Sequence, residues 1–338
     1  MSCYCGIDLH STNSYVAILD EQDRPLAKRR VKNNMEEILG ILAPLSEDLK
    51  GIVVESTYNW YWLVDGLVEA GYVVHLANTC AIKVYEGKKH MDDKDDAIHL
   101  AHLLRLGLIQ DGYIYPREDR GLRDLSRKRC QLVRQRTANL LSIENQLMRR
   151  AGSRPSGAAI SKWTPTDLEA QSLPDDEKLA IESNLAIFDA LDKQIDILEK
   201  TLRQRMKKDG NRKLLLTMPG VGEILAGVIA LETGPIERFR NVGNYSSYCR
   251  MVSSERTSNG KRKGSGNAKS GNRFLSWAFC EAAHFAIRYN PGIQGFYQRK
   301  KAKTNGIVAL KTVAHKLARA AYYILRNNTP FEEGRCFN

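Results

Sequence analysis

The 338-residue sequence contains no uninterrupted apolar run of about 18 residues, so no segment is built to span a bilayer as a helix. Its N-terminus, "MSCYCGIDLHS", has neither a basic leading region nor a long apolar segment, and the expectation is a chain without a signal peptide. Cysteine is scarce. Seven residues (positions 3, 5, 80, 130, 249, 280 and 336) make an odd number with no Cys/His spacing that resembles a zinc site. That argues against a disulfide scaffold and against a zinc finger, and makes a reducing cytosol the simplest setting. No internal repeat is found. Acidic residues are scarce in one place only: residues 201–338 carry 25 Lys+Arg against 8 Asp+Glu, whereas the first 200 carry 26 against 31.

An acidic front half and a strongly basic back half suggest that the back half meets a polyanion. An acidic lipid surface fits less well, because the basic residues interleave with glycine and do not form one amphipathic face. A hydrophobic content of 43% with 27% charged residues is ordinary for globular domains, and the length allows two or three of them.

Three domains are expected: 1–121, 122–208 and 209–330. In the first, "YCGIDLH", "SYVAILD" and "PLAKRRVKN" read as strands, "MEEILGILAPL" as a helix, "GIVVES" as a buried strand, "NWYWLVDGLVEAG" as a helix and "YVVHLAN" as a strand. This is an α/β pattern. In the second, Val133, Leu140 and Leu147 recur every seven residues, as do Ile181, Phe188, Ile195 and Leu202. Two such stripes predict an antiparallel helix pair or an oligomerising coiled coil; an ordinary helical hairpin is the plainer alternative. The third is helical and basic, with a Gly-, Ser- and Lys/Arg-rich loop over "RTSNGKRKGSGNAKSGNRFL".

The stretch "DDKDDAIHLAHLL" sets four carboxylates within five residues. On a helical wheel Ala97, Leu100, Ala101 and Leu104 form the apolar stripe, with Asp93 at its centre and Asp96 on its edge. Two inward carboxylates are expensive unless protonated or neutralised, and a hard divalent cation neutralises oxygen ligands well. Asp8 lies inside an apolar strand, and Glu55 ends another at the carboxyl edge where α/β sheets place their sites. Asp, Glu and a DxxD pair in this order match the arrangement of the RNase H-like nuclease fold, especially the RuvC-like Holliday-junction resolvases. Such a set can hold two Mg²⁺ ions for phosphodiester chemistry. A solvated acidic helix start, favoured by the helix dipole, accounts for Asp92 and Asp95 but leaves Asp93 and Asp96 unexplained.

In the basic half, "MPGVG" between apolar helices resembles a helix-hairpin-helix, whose glycines (Gly220, Gly222) let backbone N–H groups approach a phosphate; a simple tight turn is the alternative. The Gly-rich loop carries Arg256, Lys261, Arg262, Lys263, Lys269 and Arg273, a set suited to gripping phosphates. Ser258 lies among them. By its surroundings alone it is either a hydrogen-bonding serine or a nucleophile.

Taken together these motifs resemble the DEDD-type insertion-sequence transposases, the bridge-RNA-guided DNA recombinases, across nearly the whole chain. "GIDLH" carries the first Asp, "VVES" the Glu, and "MDDKDDA" matches T-D-x-x-D-A, giving Asp93 and Asp96. "MPGVGEILAGVIALETGPIERF" and "SNGKRKGSGNAKSGNRFL" match the two C-terminal blocks, and the first serine of the second block falls on Ser258. Two departures stand out: "YCRMVSSE" has Arg250 and Met251 where the family usually has Gly-Leu, and Asn259 stands where Gly is common.

The resemblance implies an RNase H-like domain that binds Mg²⁺ through Asp8, Glu55, Asp93 and Asp96, then a coiled-coil segment, then a mostly α C-terminal domain. Ser258 would form a covalent phosphoserine link to donor and target DNA, guided by a structured bridge RNA. A homo-oligomer, dimer or tetramer, in the cytoplasm and nucleoid-associated, with no membrane partner, is the corresponding expectation. Two rivals remain. One is a resolvase that hydrolyses DNA with water as nucleophile. The other is a nucleic-acid-binding protein with a degenerate nuclease domain.

Overall fold

The β1 strand (Cys3–Leu9) is apolar at every second position, and Cys3, Cys5, Ile7 and Leu9 are all buried. It pairs antiparallel with β2 (Asn13–Asp20), which pairs antiparallel with β3 (Pro25–Lys32). After α1 (Met35–Leu42), β4 (Leu49–Glu55) joins the other side of β1 in parallel. After α2 (Tyr61–Glu69), β5 (Val74–Ala77) adds to β4 in the same sense. The sheet order is β3-β2-β1-β4-β5. This mixed α/β sheet, followed by mostly helical segments, is consistent with the RNase H-like expectation. The computed structural model describes residues 1–78, 93–152, 155–252, 255–265 and 270–337; the side chains of residues 93, 94, 151, 165, 255–257, 262, 265 and 335 lie outside that description.

The chain divides into two units, Met1–Arg117 and Glu118–Asn338. In the first, one face of the sheet packs Ile7, Val16, Ile18, Ile52 and Val54 against Ile38, Leu42, Leu63 and Leu67 from α1 and α2. The other face is covered by α3 (Asp93–Arg105). A Cβ on Gly6 would lie 2.1 Å from the Ala97 carbonyl oxygen and 2.6 Å from the Ala101 nitrogen, so the helix backbone rests directly on the strand. Leu100 closes a small core with Val53 and Ala77.

The far end of α3 is pinned. Arg105 donates to both Asp23 carboxylate oxygens, at 2.7 and 2.6 Å, and His102 Nδ1 lies 2.9 Å from the same group. Asp23 sits in the β2–β3 turn, beside the start of β1, because Cys3 pairs with Asp20. α3 therefore runs antiparallel to β1, and its first turn lies at the carboxyl end of that strand.

In the second unit, α4 (Arg117–Ala151) and α7 (Asp175–Arg205) are the long helices. Ion pairs Arg129–Glu199 (2.6 Å), Arg136–Asp192 and Arg150–Glu177 (2.9 Å) link them in opposite order along the chain. That is an antiparallel pair. Ile181, Phe188, Ile195 and Leu202, the residues of the seven-residue repeat, are the buried ones of α7. The Pro/Gly/Ser-rich connection is partly helical: α5 (Gly157–Ile160) buries Ile160, and α6 (Pro165–Glu169) begins at a Thr164–Asp167 capping box.

The rest of the second unit comprises α8 (Gly210–Leu215), α9 (Glu223–Thr233), α10 (Val242–Tyr248), β6 (Glu255–Ser258), β7 (Lys261–Ser265), α11 (Arg273–Tyr289), α12 (Pro291–Lys303) and α13 (Gly306–Asn327). α9, α11 and α13 share one apolar core around Tyr245 and Phe279. The stretch read as a loop contains the β6–β7 hairpin. All six described cysteines are free thiols. Among the described residues no helix is long and apolar enough to cross a membrane.

Candidate active site

Asp8 is 2% exposed although it carries a carboxylate. Strand alternation points it to the same face as Gly6, toward α3. Ile7 pairs with Val54, so Glu55 stands beside Asp8 at the carboxyl edge of the parallel pair. The two carboxyls hydrogen-bond each other. Burial first, and then this bond and the charge of Asp8, push Glu55 up to about 7. Below about pH 7 Glu55 keeps its proton and donates it in the hydrogen bond to Asp8.

A third group joins them. His10 Nε2 lies 3.1 Å from Asp8 Oδ2. Its position is fixed through its own backbone: the His10 carbonyl accepts from Asn33 Nδ2 at 2.9 Å and from Asn59 Nδ2 at 3.0 Å. Asn33 is held in turn by the Ser14 hydroxyl at 2.7 Å. Sequence reading gave His10 no role, yet the signal was present, since a residue two positions after Asp8 on a strand shares its face.

The DxxD pair divides. The Asp93 side chain lies outside the described residues, as does Asp92; the helix that bears Asp93 begins at the carboxyl end of β1. Asp96 is exposed, which corrects the inward placement from the wheel. Ala97, Leu100 and Ala101 are buried as expected, whereas Asp96, on the edge of that stripe and in the first turn of α3, opens to solvent. Among the described residues no cluster of three or more His, Cys, Asp or Glu could hold a metal ion. The Asp8–Glu55 pair nevertheless fits a hard divalent cation by its chemistry: two oxygen donors, partly withdrawn from water, share a proton that a cation would displace.

Ser258 occupies a different setting. It pairs with Lys261 across the two-residue turn Asn259-Gly260, and both turn residues have positive φ, 49° and 69°. This is the type I′ geometry that Asn-Gly favours, and it puts Ser258 at the exposed tip of the β6–β7 hairpin. Lys261 and Lys263 are exposed on the return strand. The side chains of Arg256 and Arg262, and the whole of Lys269, lie outside the described residues. Arg273 opens α11, with its guanidinium 5.0 Å from the Phe274 ring.

The base of this segment is anchored in the core. Asn272 caps α11, accepting from Phe274 N and Leu275 N, and donates to Glu232 at 2.7 Å. Buried Glu232 is also gripped at both oxygens by Arg127 from α4, at 2.6 and 2.7 Å. Arg250, at the position where Gly is usual, adopts a left-handed backbone (φ 56°), and its Nε donates to the Gly271 carbonyl at 3.0 Å. That bond offsets part of the strain of a non-glycine residue there.

Two family profiles match the chain. One, a DEDD-type IS110 transposase profile, covers residues 5–150; the other, described as the transposase IS116/IS110/IS902 family, covers residues 212–298. The chain belongs to this IS110-type transposase family. It is similar to a probable family 20 transposase of Pseudomonas aeruginosa, 22% identical over 97% of this chain and 98% of the relative. It is also similar to the transposase for insertion sequence element IS1328 of Yersinia enterocolitica, 21% identical over 97% and 98%. An insertion element IS116 protein of Streptomyces clavuligerus, 24% identical, matches 42% of this chain and 36% of that protein. As a transposase the chain is a DNA-processing enzyme, of a class that generally depends on a divalent metal.

Within this transposase the "MPGVG" turn has a packing role. A Cβ on Gly220 (φ 78°) would lie 2.1 Å from the Ala282 carbonyl oxygen, so this glycine lets the turn seat on α11. Gly222 caps α9 and is exposed. Glu223 follows it and pairs with Arg212, placing a carboxylate at the helix start where a phosphate would otherwise be favoured.

Proposed function

We propose that this transposase is an RNA-guided DNA recombinase. Asp8, Glu55, Asp93 and Asp96 would hold Mg²⁺, and Ser258 is the nucleophile. The observation that carries the reading is buried Asp8 set beside Glu55 at the carboxyl edge of the sheet, the two carboxyls hydrogen-bonded and His10 next to them. When bound, Mg²⁺ neutralises charge that develops on the phosphate and its oxygens.

The protein's own residues do the rest. Ser258 Oγ attacks the scissile phosphorus; the Oγ–P bond forms, one P–O(sugar) bond breaks, the hydroxyl proton leaves and the released sugar oxygen takes one up. The resulting phosphoserine ester keeps the bond energy for rejoining, so strand exchange requires no high-energy cofactor. Lys261, Arg262 and Lys263, with Arg256, Lys269 and Arg273, offset charge on the phosphates around the serine. A bridge RNA reads donor and target DNA by pairing, and the enzyme acts as a dimer or tetramer, because exchanging strands of two duplexes needs at least two active sites. The exposed hairpin tip suits a nucleophile that must reach into a nucleic-acid groove.

Trapping tests the assignment. Denaturing gels of the enzyme with DNA should show a covalent protein–DNA band that is lost in Ser258→Ala. Protein-free nicks made equally well by Ser258→Ala would remove the serine and leave the hydrolytic resolvase reading.

A further inference from the structure

The register of the first unit sets a basic row on the same face as the carboxylate pair. Asp8 pairs with Tyr15 and Tyr15 with Arg30; Gly6 pairs with Ala17 and Ala17 with Lys28. Directly paired residues share a face, so Arg30, Tyr15, Asp8 and Glu55 form one line across the sheet, and Lys28 lies one pair along. A cavity of about 210 Å³ opens there, lined by Tyr15, Ala17, Lys28, Arg30 and Ala97 among others.

Among the described residues the cations of this row lack acidic partners. Arg24 pairs with Asp20, Arg105 with Asp23 and Arg117 with Glu69. Among the described residues none of Lys28, Arg29, Arg30 or Lys32 has a carboxylate partner. Arg30 instead lies over the Tyr15 ring, 5.7 Å from its centre, and donates to Asn13 Oδ1 at 3.3 Å. Charge along an edge strand also discourages strand-to-strand aggregation. That duty asks for charge anywhere on the edge; it explains neither the aromatic ring beside it nor the cavity it borders.

We propose that this face of β2 and β3 is the track for the DNA strand being cut. Lys28 and Arg30 hold its phosphates, and Tyr15 lies against a sugar or base. The proposal rests on the reading of Asp8 and Glu55 as the site of phosphodiester chemistry. β3 is two strands from β1, about 10 Å at ~4.8 Å per strand. At ~3.4 Å per nucleotide along a duplex strand, a chain held on Lys28 and Arg30 presents a phosphate roughly three nucleotides further on to the carboxylates. The cut strand must pass there, whereas a guide RNA need not, which favours DNA over RNA.

Salt-dependent binding of the full chain to short oligo(dT) and oligo(U), without metal, tests this. With Lys28→Gln/Arg30→Gln, the slope of log Kd against log salt over roughly 50–200 mM should become shallower by about 1.4 for oligo(dT), two contacts at ~0.7 each. An unchanged oligo(dT) slope overturns the track, and so does a change confined to oligo(U), which would make the row an RNA contact. A second measurement avoids reliance on those variants: a photo-crosslinking phenylalanine in place of Tyr15 should capture oligo(dT), and failure to do so also overturns the proposal. Asp8→Asn separates the two readings, because it should abolish strand cutting while keeping the oligo(dT) slope. If Asp8→Asn still cuts DNA, the catalytic reading fails whatever the slope shows.

Discussion

Replacing Glu55 by Gln isolates the energetic effect of crowding two carboxylates. Burial and the neighbouring Asp8 push Glu55 from an ordinary 4.5 to about 7. Between those values the folded protein holds a proton that the unfolded chain has released. Metal-free stability therefore falls as pH rises from about 4.5 to about 7 and stays lower above that. At 1.36 kcal/mol for each pH unit the full effect is roughly 3 kcal/mol; partial exposure of Glu55 to solvent reduces it to about 1–2 kcal/mol. Gln is neutral throughout and still donates to Asp8, so it escapes the penalty. In thermal melts with chelator, wild type and Glu55→Gln should unfold together near the low end of the window. Above about pH 8 the variant should melt higher by on the order of 4–8 °C, taking about 4 °C per kcal/mol. Added Mg²⁺ should reverse the order, stabilising wild type by ~2.7 kcal/mol at a hundredfold excess over Kd. That gain should fade below about pH 7, where proton and metal compete. A gap between the two proteins that stays constant with pH, or equal Mg²⁺ stabilisation of both, would refute the shared-proton reasoning.

Three further perturbations test other parts of the fold. Gly6→Ala puts a methyl 2.1 Å from the Ala97 oxygen and must lift α3; a loss of about 1–3 kcal/mol in denaturant unfolding is expected, together with weaker Mg²⁺ stabilisation. Gly260→Ala forces a side chain into the left-handed region at a cost of about 1–2 kcal/mol confined to the hairpin. Covalent adduct formation should then drop about tenfold with the melting temperature unchanged. Arg127→Met leaves Glu232 buried with Asn272 and should destabilise by about 3 kcal/mol, and adding Glu232→Gln should restore much of the loss in a double-mutant cycle.

The elements most legible in the sequence were those whose own period matches their burial. β1, β2, β4 and β5 follow apolar alternation or short apolar runs, and the buried residues of α7 are those of its seven-residue repeat. The apolar stripe of α3 was legible for the same reason. Asp96 was misplaced because a wheel gives angle but not where along the helix the contact begins, and Asp96 lies in the first turn of α3, ahead of the Ala97 and Ala101 backbone that meets Gly6. The β6–β7 hairpin has no hydrophobic pattern to read; its one signal is the Asn259-Gly260 pair, which composition disguised as loop. The Arg127–Glu232–Asn272 network joins residues 105 and 40 positions apart, and local pattern does not encode contacts of that range. His10 was legible by alternation but carried no motif that called for it.

The two reactive groups are held by opposite means. Asp8 lies in a central strand paired on both sides, under a helix whose backbone touches Gly6 on the same face. Ser258 sits at the tip of a two-stranded hairpin, an element that is marginally stable alone in water; among the described residues, Asn272 and Arg250 anchor the segments that flank it. The Asp8–Glu55 pair is therefore preorganised, whereas the serine's position depends on what Lys261 and Lys263 contact. If nucleic acid supplies that contact, protection of the β6–β7 amides from hydrogen exchange should rise on DNA binding while that of β1 stays as it was. Equal protection of the hairpin with and without DNA would show that the core alone positions the serine.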